Sequence, residues 1–310
     1  MKMEQQKTPV LNVQDLSISF TMYDKGMNKQ KVEMVHQLSL EVAEGEIVAV
    51  AGSSGSGKSL LAHAVLGILP SNAEVEGTIE FCKTKLDKKL QQQLRGNEIA
   101  LIPQSVEYLD PLMKVGKQVQ GIKGSKEKQE TLFHRYHLEP EVAELYPHQL
   151  SGGMARRVLI ATAMMGNPKL IIADEPTPGL SADMAKETLQ HFRELAKEGC
   201  GVLLITHDID LAFQAADKIA VFYAGTTLEI APVEDFKMGK EALRHPYTKA
   251  FLDALPQNGF QPIDGFQPYP GELPKGCLFA RRCPYCTKEC MEEIKMRSLR
   301  GGKVRCIHAA

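Results

Sequence analysis

Eight consecutive residues, Gly52-Ser53-Ser54-Gly55-Ser56-Gly57-Lys58-Ser59, carry the spacing G-x-x-x-x-G-K-S. Glycines at these places allow backbone dihedrals and close approaches that a Cβ would block, so successive N–H groups turn inward around an anion. Lys58 adds a point charge for the outer phosphates, and the Ser59 hydroxyl suits Mg²⁺. The apolar run Ile47 to Ala51 precedes the loop, and a helix-like run from Leu60 to Leu69 follows it. Strand, glycine-rich turn and helix N-terminus together form a phosphate cradle, with Leu60 opening the helix behind it. The stretch implies a nucleoside triphosphate site.

A second stretch, Leu170-Ile171-Ile172-Ala173-Asp174-Glu175, is an apolar strand ending in two carboxylates. Side chains at such a strand end reach the ligand crevice of an α/β sheet. Asp174 suits Mg²⁺ opposite Ser59, and Glu175, free of the metal, suits the attacking water. Hydrolysis is the chemistry that pair implies. Leu150-Ser151-Gly152-Gly153-Met154 stands before another helix-like run, Ala155 to Met165. Ser151 is a good N-cap there, and the glycines bare backbone N–H groups. Gln104 follows Leu101-Ile102-Pro103, and His207 follows Leu203-Leu204-Ile205-Thr206. Taken singly, Gln104 is mute and His207 could equally be a helix cap.

The elements that must position these residues are legible in the apolar pattern. Leu16, Ile18 and Phe20 alternate with polar residues, as do Met34, Leu38, Leu40 and Val42, which predicts half-buried antiparallel strands. Between them TMYDKGMNKQK reads as a polar loop. Continuous apolar strands are expected at Ile47 to Ala51, Ile99 to Ile102, Leu170 to Ala173, Val202 to Ile205 and Ile219 to Phe222. Their lack of alternation predicts a mostly parallel sheet covered on both faces. Ala182 to Glu198 is helical by spacing, with Gly199 as its stop. Between Pro111 and His148 the lysines Lys114, Lys117, Lys123, Lys126 and Lys128 mark a solvated face. With the helix-like TLFHRYHL they predict an inserted helical subdomain over about 105–165.

The 310 residues, 43% hydrophobic and 24% charged, are enough for one large domain with an appendage. A net charge of -1 gives no pull toward nucleic acid or anionic lipid. No apolar run approaches the ~18 residues of a membrane span. The start MKMEQQKTPV lacks a signal-peptide core. The expectation is a cytoplasmic protein that meets a membrane only through a partner.

The order of the motifs is the specific signal: the loop at Gly52–Ser59, then Gln104, Ser151-Gly152-Gly153, Asp174-Glu175 and His207. From about residue 10 to 232 the chain resembles the ATP-binding cassette (ABC) ATPases. The resemblance implies ATP as substrate and Mg²⁺ as cofactor, held by Ser59, Asp174 and Gln104. Glu175, His207 and Gln104 become the catalytic residues, and Ser151, Gly152, Gly153 and Met154 the signature that binds a partner subunit's ATP. Phe20, or else Tyr23, matches the adenine-stacking aromatic, although a core aromatic would occupy the same strand position. The family's D-loop aspartate is replaced by Ser181. That departure implies a second, different ATPase subunit as partner.

Beyond Pro232 a Pro- and Gly-rich stretch leads into Cys277, Cys283, Cys286, Cys290 and Cys306, while Cys82 and Cys200 stand apart. In a reducing cytosol such crowding favours metal over disulfides. Arg244-His245-Pro246-Tyr247-Thr248-Lys249-Ala250 and the Leu273–Pro284 segment resemble the C-terminal region of oligopeptide, dipeptide and nickel importer ATPases. This divides the chain into a nucleotide-binding domain, 1–240, and an extension, 241–310. The likeness implies a [4Fe–4S] cluster, or Zn²⁺, on Cys277, Cys283, Cys290 and Cys306, with Cys286 an extra. It further implies two membrane permease subunits, an external substrate-binding protein, no nucleic acid, and a place on the cytoplasmic face of the membrane. Peptide and nickel chelate remain open as cargo. The competing reading is a soluble ABC ATPase of DNA repair or translation, which would carry a long coiled-coil insertion or a second cassette; neither is present.

Overall fold

The computed structural model describes residues 8–23, 28–53, 55–122 and 124–309. Ser54, Lys123 and most of the MKMEQQKTPV start lie outside them. Two long strands, β1 (Pro9–Tyr23) and β2 (Lys29–Ala43), open the chain, followed by β3 (Ile47–Gly52) and α1 (Lys58–Leu66). Then come β4 (Ala73–Phe81), β5 (Thr84–Lys85), α2 (Lys88–Leu94) and β6 (Ile99–Ile102). The inserted helices are α3 (Val115–Gln120), α4 (Lys126–Arg135) and α5 (Gly152–Ala163). The core resumes with β7 (Leu170–Asp174), α6 (Ala182–Lys197), β8 (Gly201–Ile205), α7 (Ile209–Ala215), β9 (Lys218–Tyr223) and β10 (Thr226–Pro232). After α8 (Val233–Met238), the extension adds α9 (Pro246–Asp253) and the hairpin β11 (Arg297–Leu299) and β12 (Gly302–Val304).

Among the described residues the main sheet has the order β11-β12-β10-β9-β3-β8-β7-β6, and β9, β3, β8, β7 and β6 run parallel. Its parallel strands are near-continuous apolar runs because each residue finds a core on its own side. Ile47, Ala49 and Ala51 of β3 face the core built with α5, α6 and the inserted helices. Val48 and Val50 face a second core, closed by α1 and by Leu11, Leu16, Ile18, Leu38 and Leu40 of the antiparallel sheet β2-β1-β4-β5. Period two thus survives inside the run, read as two apolar faces.

Local chemistry moves several boundaries. α1 stops at Leu66, short of the expected Leu69, because Gly67 takes a left-handed conformation (φ 66°) and returns its N–H to the last turn. The hairpin strands run through much of TMYDKGMNKQK, to Tyr23 and from Lys29. α4 takes in Lys126 and Lys128 and ends at Arg135, before the Tyr136-His137-Leu138 end of the predicted helix.

The extension is tied into the core. β12 pairs with β10, so the last strands continue the nucleotide-binding sheet. Glu229, fully buried on β10, accepts from Arg244 N (2.9 Å), Arg244 Nη1 (3.2 Å) and His245 N (2.7 Å). A buried carboxylate persists when cation and backbone donors satisfy it together. This explains the Arg244-His245 pair in the sequence. Next to it Tyr223, Tyr247 and Phe279 pack ring to ring, with centroids 4.5 to 5.5 Å apart.

Candidate functional site

Parallel register brings the motifs to one sheet edge. Val50 and Asp174 both pair with Ile205, and Ile102 pairs with Ala173. The next residues of each strand, Gly52, Gln104, Glu175 and His207, therefore emerge together at the C-terminal edge, where α/β sheets bind ligands. Gln104, Glu175 and His207 border a cavity of about 780 Å³ that Gly55 to Leu60 and Asp174 also line. Phe20, Met22, Val32 and Met34 form its apolar end.

The loop is shaped by close approach. A Cβ on Gly52 would lie 2.4 Å from the Phe222 carbonyl oxygen, so no other residue fits there. Gly57, at φ 90°, caps α1 and aims the helix N-terminus into the cavity. Lys58 Nζ folds back onto the Gly52 and Ser53 carbonyls, each at 2.9 Å. Burial lowers its pKa, and the charges of Glu175 and Asp174 oppose that shift. An ammonium held by neutral carbonyls is poised to exchange them for phosphate oxygens.

Asp174 is buried and its Oδ1 has no hydrogen-bond partner. Burial raises its pKa above the usual carboxylate range, while a hydrogen bond from Ser59 opposes the rise. A buried carboxylate oxygen left unmatched beside a serine hydroxyl is the hard-oxygen donor set that fits Mg²⁺. Glu175 takes a left-handed backbone (φ 50°) and donates its N–H to the Ile205 carbonyl at 2.9 Å. Such strain in a non-glycine residue collects at functional sites. Its buried carboxylate meets His207 Nδ1 at 2.7 Å, with His207 itself exposed. Asp208 then caps α7, which fixes the strand-to-helix turn bearing His207.

The remaining motif residues lie elsewhere. Ser151, Gly152, Gly153 and Met154 do not line the cavity; Ser151 Oγ caps α5 by accepting from Met154 N (3.2 Å). Ser181 caps α6 in the same way, accepting from Met184 N (3.4 Å). Phe20 lines the cavity, and Tyr23 is exposed outside it. Sequence reasoning missed Arg156. Buried in α5, it donates from Nη1 to the Pro103 carbonyl and from Nη2 to the Gln104 carbonyl, both at 2.6 Å. It ties the signature helix to the glutamine loop. An arginine directly behind a Ser-Gly-Gly helix start, on the face that turns inward, was the available signal.

Four cysteines also converge. Burial raises the pKa of Cys277, Cys283 and Cys306, and their mutual charges, with that of Cys290, push the same way. Among the described residues, however, no group of three or more His, Cys, Asp or Glu side chains is placed to hold a metal ion.

Comparison with known proteins gives two family matches: ABC transporter over residues 35–178, and oligopeptide/dipeptide transporter, C-terminal region, over residues 228–290. The dipeptide transport ATP-binding protein DppD of Haemophilus influenzae is 35% identical over 321 residues, covering 96% of this chain and 94% of the relative. The Escherichia coli protein of that name is 36% identical, covering 96% of each. The oligopeptide transport ATP-binding protein AppD of Bacillus subtilis is 32% identical over 90% of this chain and 92% of its own length. Among solved structures, the dimeric structure of a bacterial ABC transporter cassette aligns with TM-score 0.63 at 26% identity, over 72% of this chain and 98% of that one.

Proposed function

The chain belongs to the ABC transporter ATPases, in the branch with the oligopeptide/dipeptide C-terminal region, and we propose short peptides as the cargo that its ATP hydrolysis drives. It binds and hydrolyses ATP to power an importer. The observation that carries the reading is the convergence of Lys58, Ser59, Gln104, Asp174, Glu175 and His207 on one cavity. Lys58 leaves its carbonyls for the β- and γ-phosphates, and the inward N–H groups of the loop hold the chain of phosphates. Ser59 and Asp174 would hold Mg²⁺, which when bound neutralises the charge on the outer phosphate oxygens. Glu175 orients the attacking water and accepts its proton. His207, hydrogen-bonded to Glu175, is placed to follow the γ-phosphate once that carboxylate turns to water.

Ser151 and its glycines do not line this cavity, which supports a composite site completed by a second cassette. Ser181, serving as a helix cap in place of the family's aspartate, supports a partner of different sequence. Two permease subunits and an external binding protein complete the proposed assembly at the cytoplasmic membrane surface.

For the extension, the reading is a metal held by thiolates, and four thiolates suit an iron–sulfur cluster or zinc alike. Cys277, Cys283, Cys290 and Cys306 would hold it, and once bound it would cross-link distant points of the extension. An iron and zinc assay on anaerobically purified protein distinguishes the two metals.

The cargo test uses the assembled transporter in vesicles loaded with Mg·ATP. Labelled dipeptide should accumulate. Accumulation of a nickel chelate in its place would overturn the peptide reading.

A further inference from the structure

The nucleotide cavity has a wall that the ATPase core does not supply. Tyr269 and Pro270, from the extension, line it together with Phe20 and Met34, and a Cβ on the adjoining Gly271 would lie 3.7 Å from Gln30 Nε2 of β2. We propose that Tyr269 is a nucleotide-base contact, so that the extension completes the base end of the site; this rests on the ATP-binding reading above. A purine has two flat apolar faces, and aromatic side chains bind such faces without regard to edge chemistry. The apolar end offers two rings for that purpose. Phe20 leans into the core from β1. Tyr269, two-thirds exposed, presents its ring from the other polypeptide segment.

Tyr269 is held where it stands. Two residues before it, Gln267 Oε1 accepts from Ser53 Oγ of the phosphate loop at 2.7 Å. Proline on either side, at 268 and 270, limits the backbone, and Glu272 N donates to the Tyr269 carbonyl at 2.9 Å. The ring lies over Gly271, where an added Cβ would come within 3.1 Å of Tyr269 Cε1. Farther back, Arg282 anchors the segment through the Ile263 and Asp264 carbonyls, both at 2.7 Å. The segment therefore touches the nucleotide site twice, at the phosphate loop through Gln267 and at the base end through Tyr269.

The test compares Mg·ATP with inorganic tripolyphosphate, which has the phosphates and no base, by calorimetry on the full chain. Tyr269→Ala should weaken Mg·ATP about tenfold, the scale of one lost base–aromatic stack, and leave tripolyphosphate unchanged. Tyr269→Phe, which keeps the ring, should bind both like the wild type. Unchanged ATP affinity in Tyr269→Ala would overturn the proposal. So would an equal loss for ATP and tripolyphosphate, which would assign Tyr269 to shaping the phosphate loop. A wild-type chain that binds neither ligand would instead strike at the ATP-binding reading.

Discussion

His245 is the residue through which acid should loosen the extension. It is 1% exposed, and burial pushes its pKa down from 6.5 to about 3. Its Nδ1 accepts from Tyr247 N at 2.9 Å, capping α9, and Nε2 meets no partner, so the folded state holds it neutral. Desolvation alone produces that shift. An unfolded chain takes up the proton near the ordinary histidine value. The stabilisation from neutral His245 is thus whole above about pH 6.5 and is lost progressively as pH falls toward the folded value of about 3. At 1.36 kcal/mol per unit, stability at pH 5 should be about 2 kcal/mol below that at pH 7.5 on this account. Urea titrations at both pH values, on wild type and His245→Asn, isolate the effect. Asparagine keeps a capping acceptor and does not titrate. Buried His191, with its pKa lowered to about 4, titrates in both proteins and cancels. The wild type should lose about 2 kcal/mol more than the variant on acidification. Parallel losses would refute the assignment.

Other consequences are as direct. Asp174→Asn should cut hydrolysis at least tenfold and raise the Mg²⁺ requirement, because the orphaned carboxylate oxygen loses its charge. Arg244→Met should cost about 3–5 kcal/mol in urea unfolding, because it strands the buried Glu229 carboxylate. Ser181→Ala should lose about 1 kcal/mol of helix-cap stability, and Ser181→Asp should retain it.

The phosphate loop and the Asp174-Glu175 strand end were legible because their chemistry depends on neighbours in the chain. Spacing alone sets which N–H groups and carboxylates can meet an anion or a metal. The five core strands were legible for a similar reason, since burial on both faces leaves a continuous apolar run. Gln267 and Tyr269 were not legible: the partner of Gln267 lies 214 residues away, and the local sequence is a Pro- and Gly-rich stretch without periodicity. Arg156 hid for a related reason, its partners being the main-chain carbonyls of Pro103 and Gln104, which have no sequence signature. The end of α1 was misread because apolar Ile68 and Leu69 continue the pattern beyond Gly67, whose left-handed backbone decides the boundary. The left-handed backbone of Glu175 has no local signal either.

The central claim is that Glu175 activates water at an ATP site built by Lys58, Ser59 and Asp174. Phosphate release at saturating Mg·ATP by Glu175→Gln, measured beside its ATP affinity in the assembled complex, tests it most directly. Hydrolysis should fall by about 10²- to 10⁴-fold with ATP binding retained. Phosphate release at the wild-type rate would contradict the account.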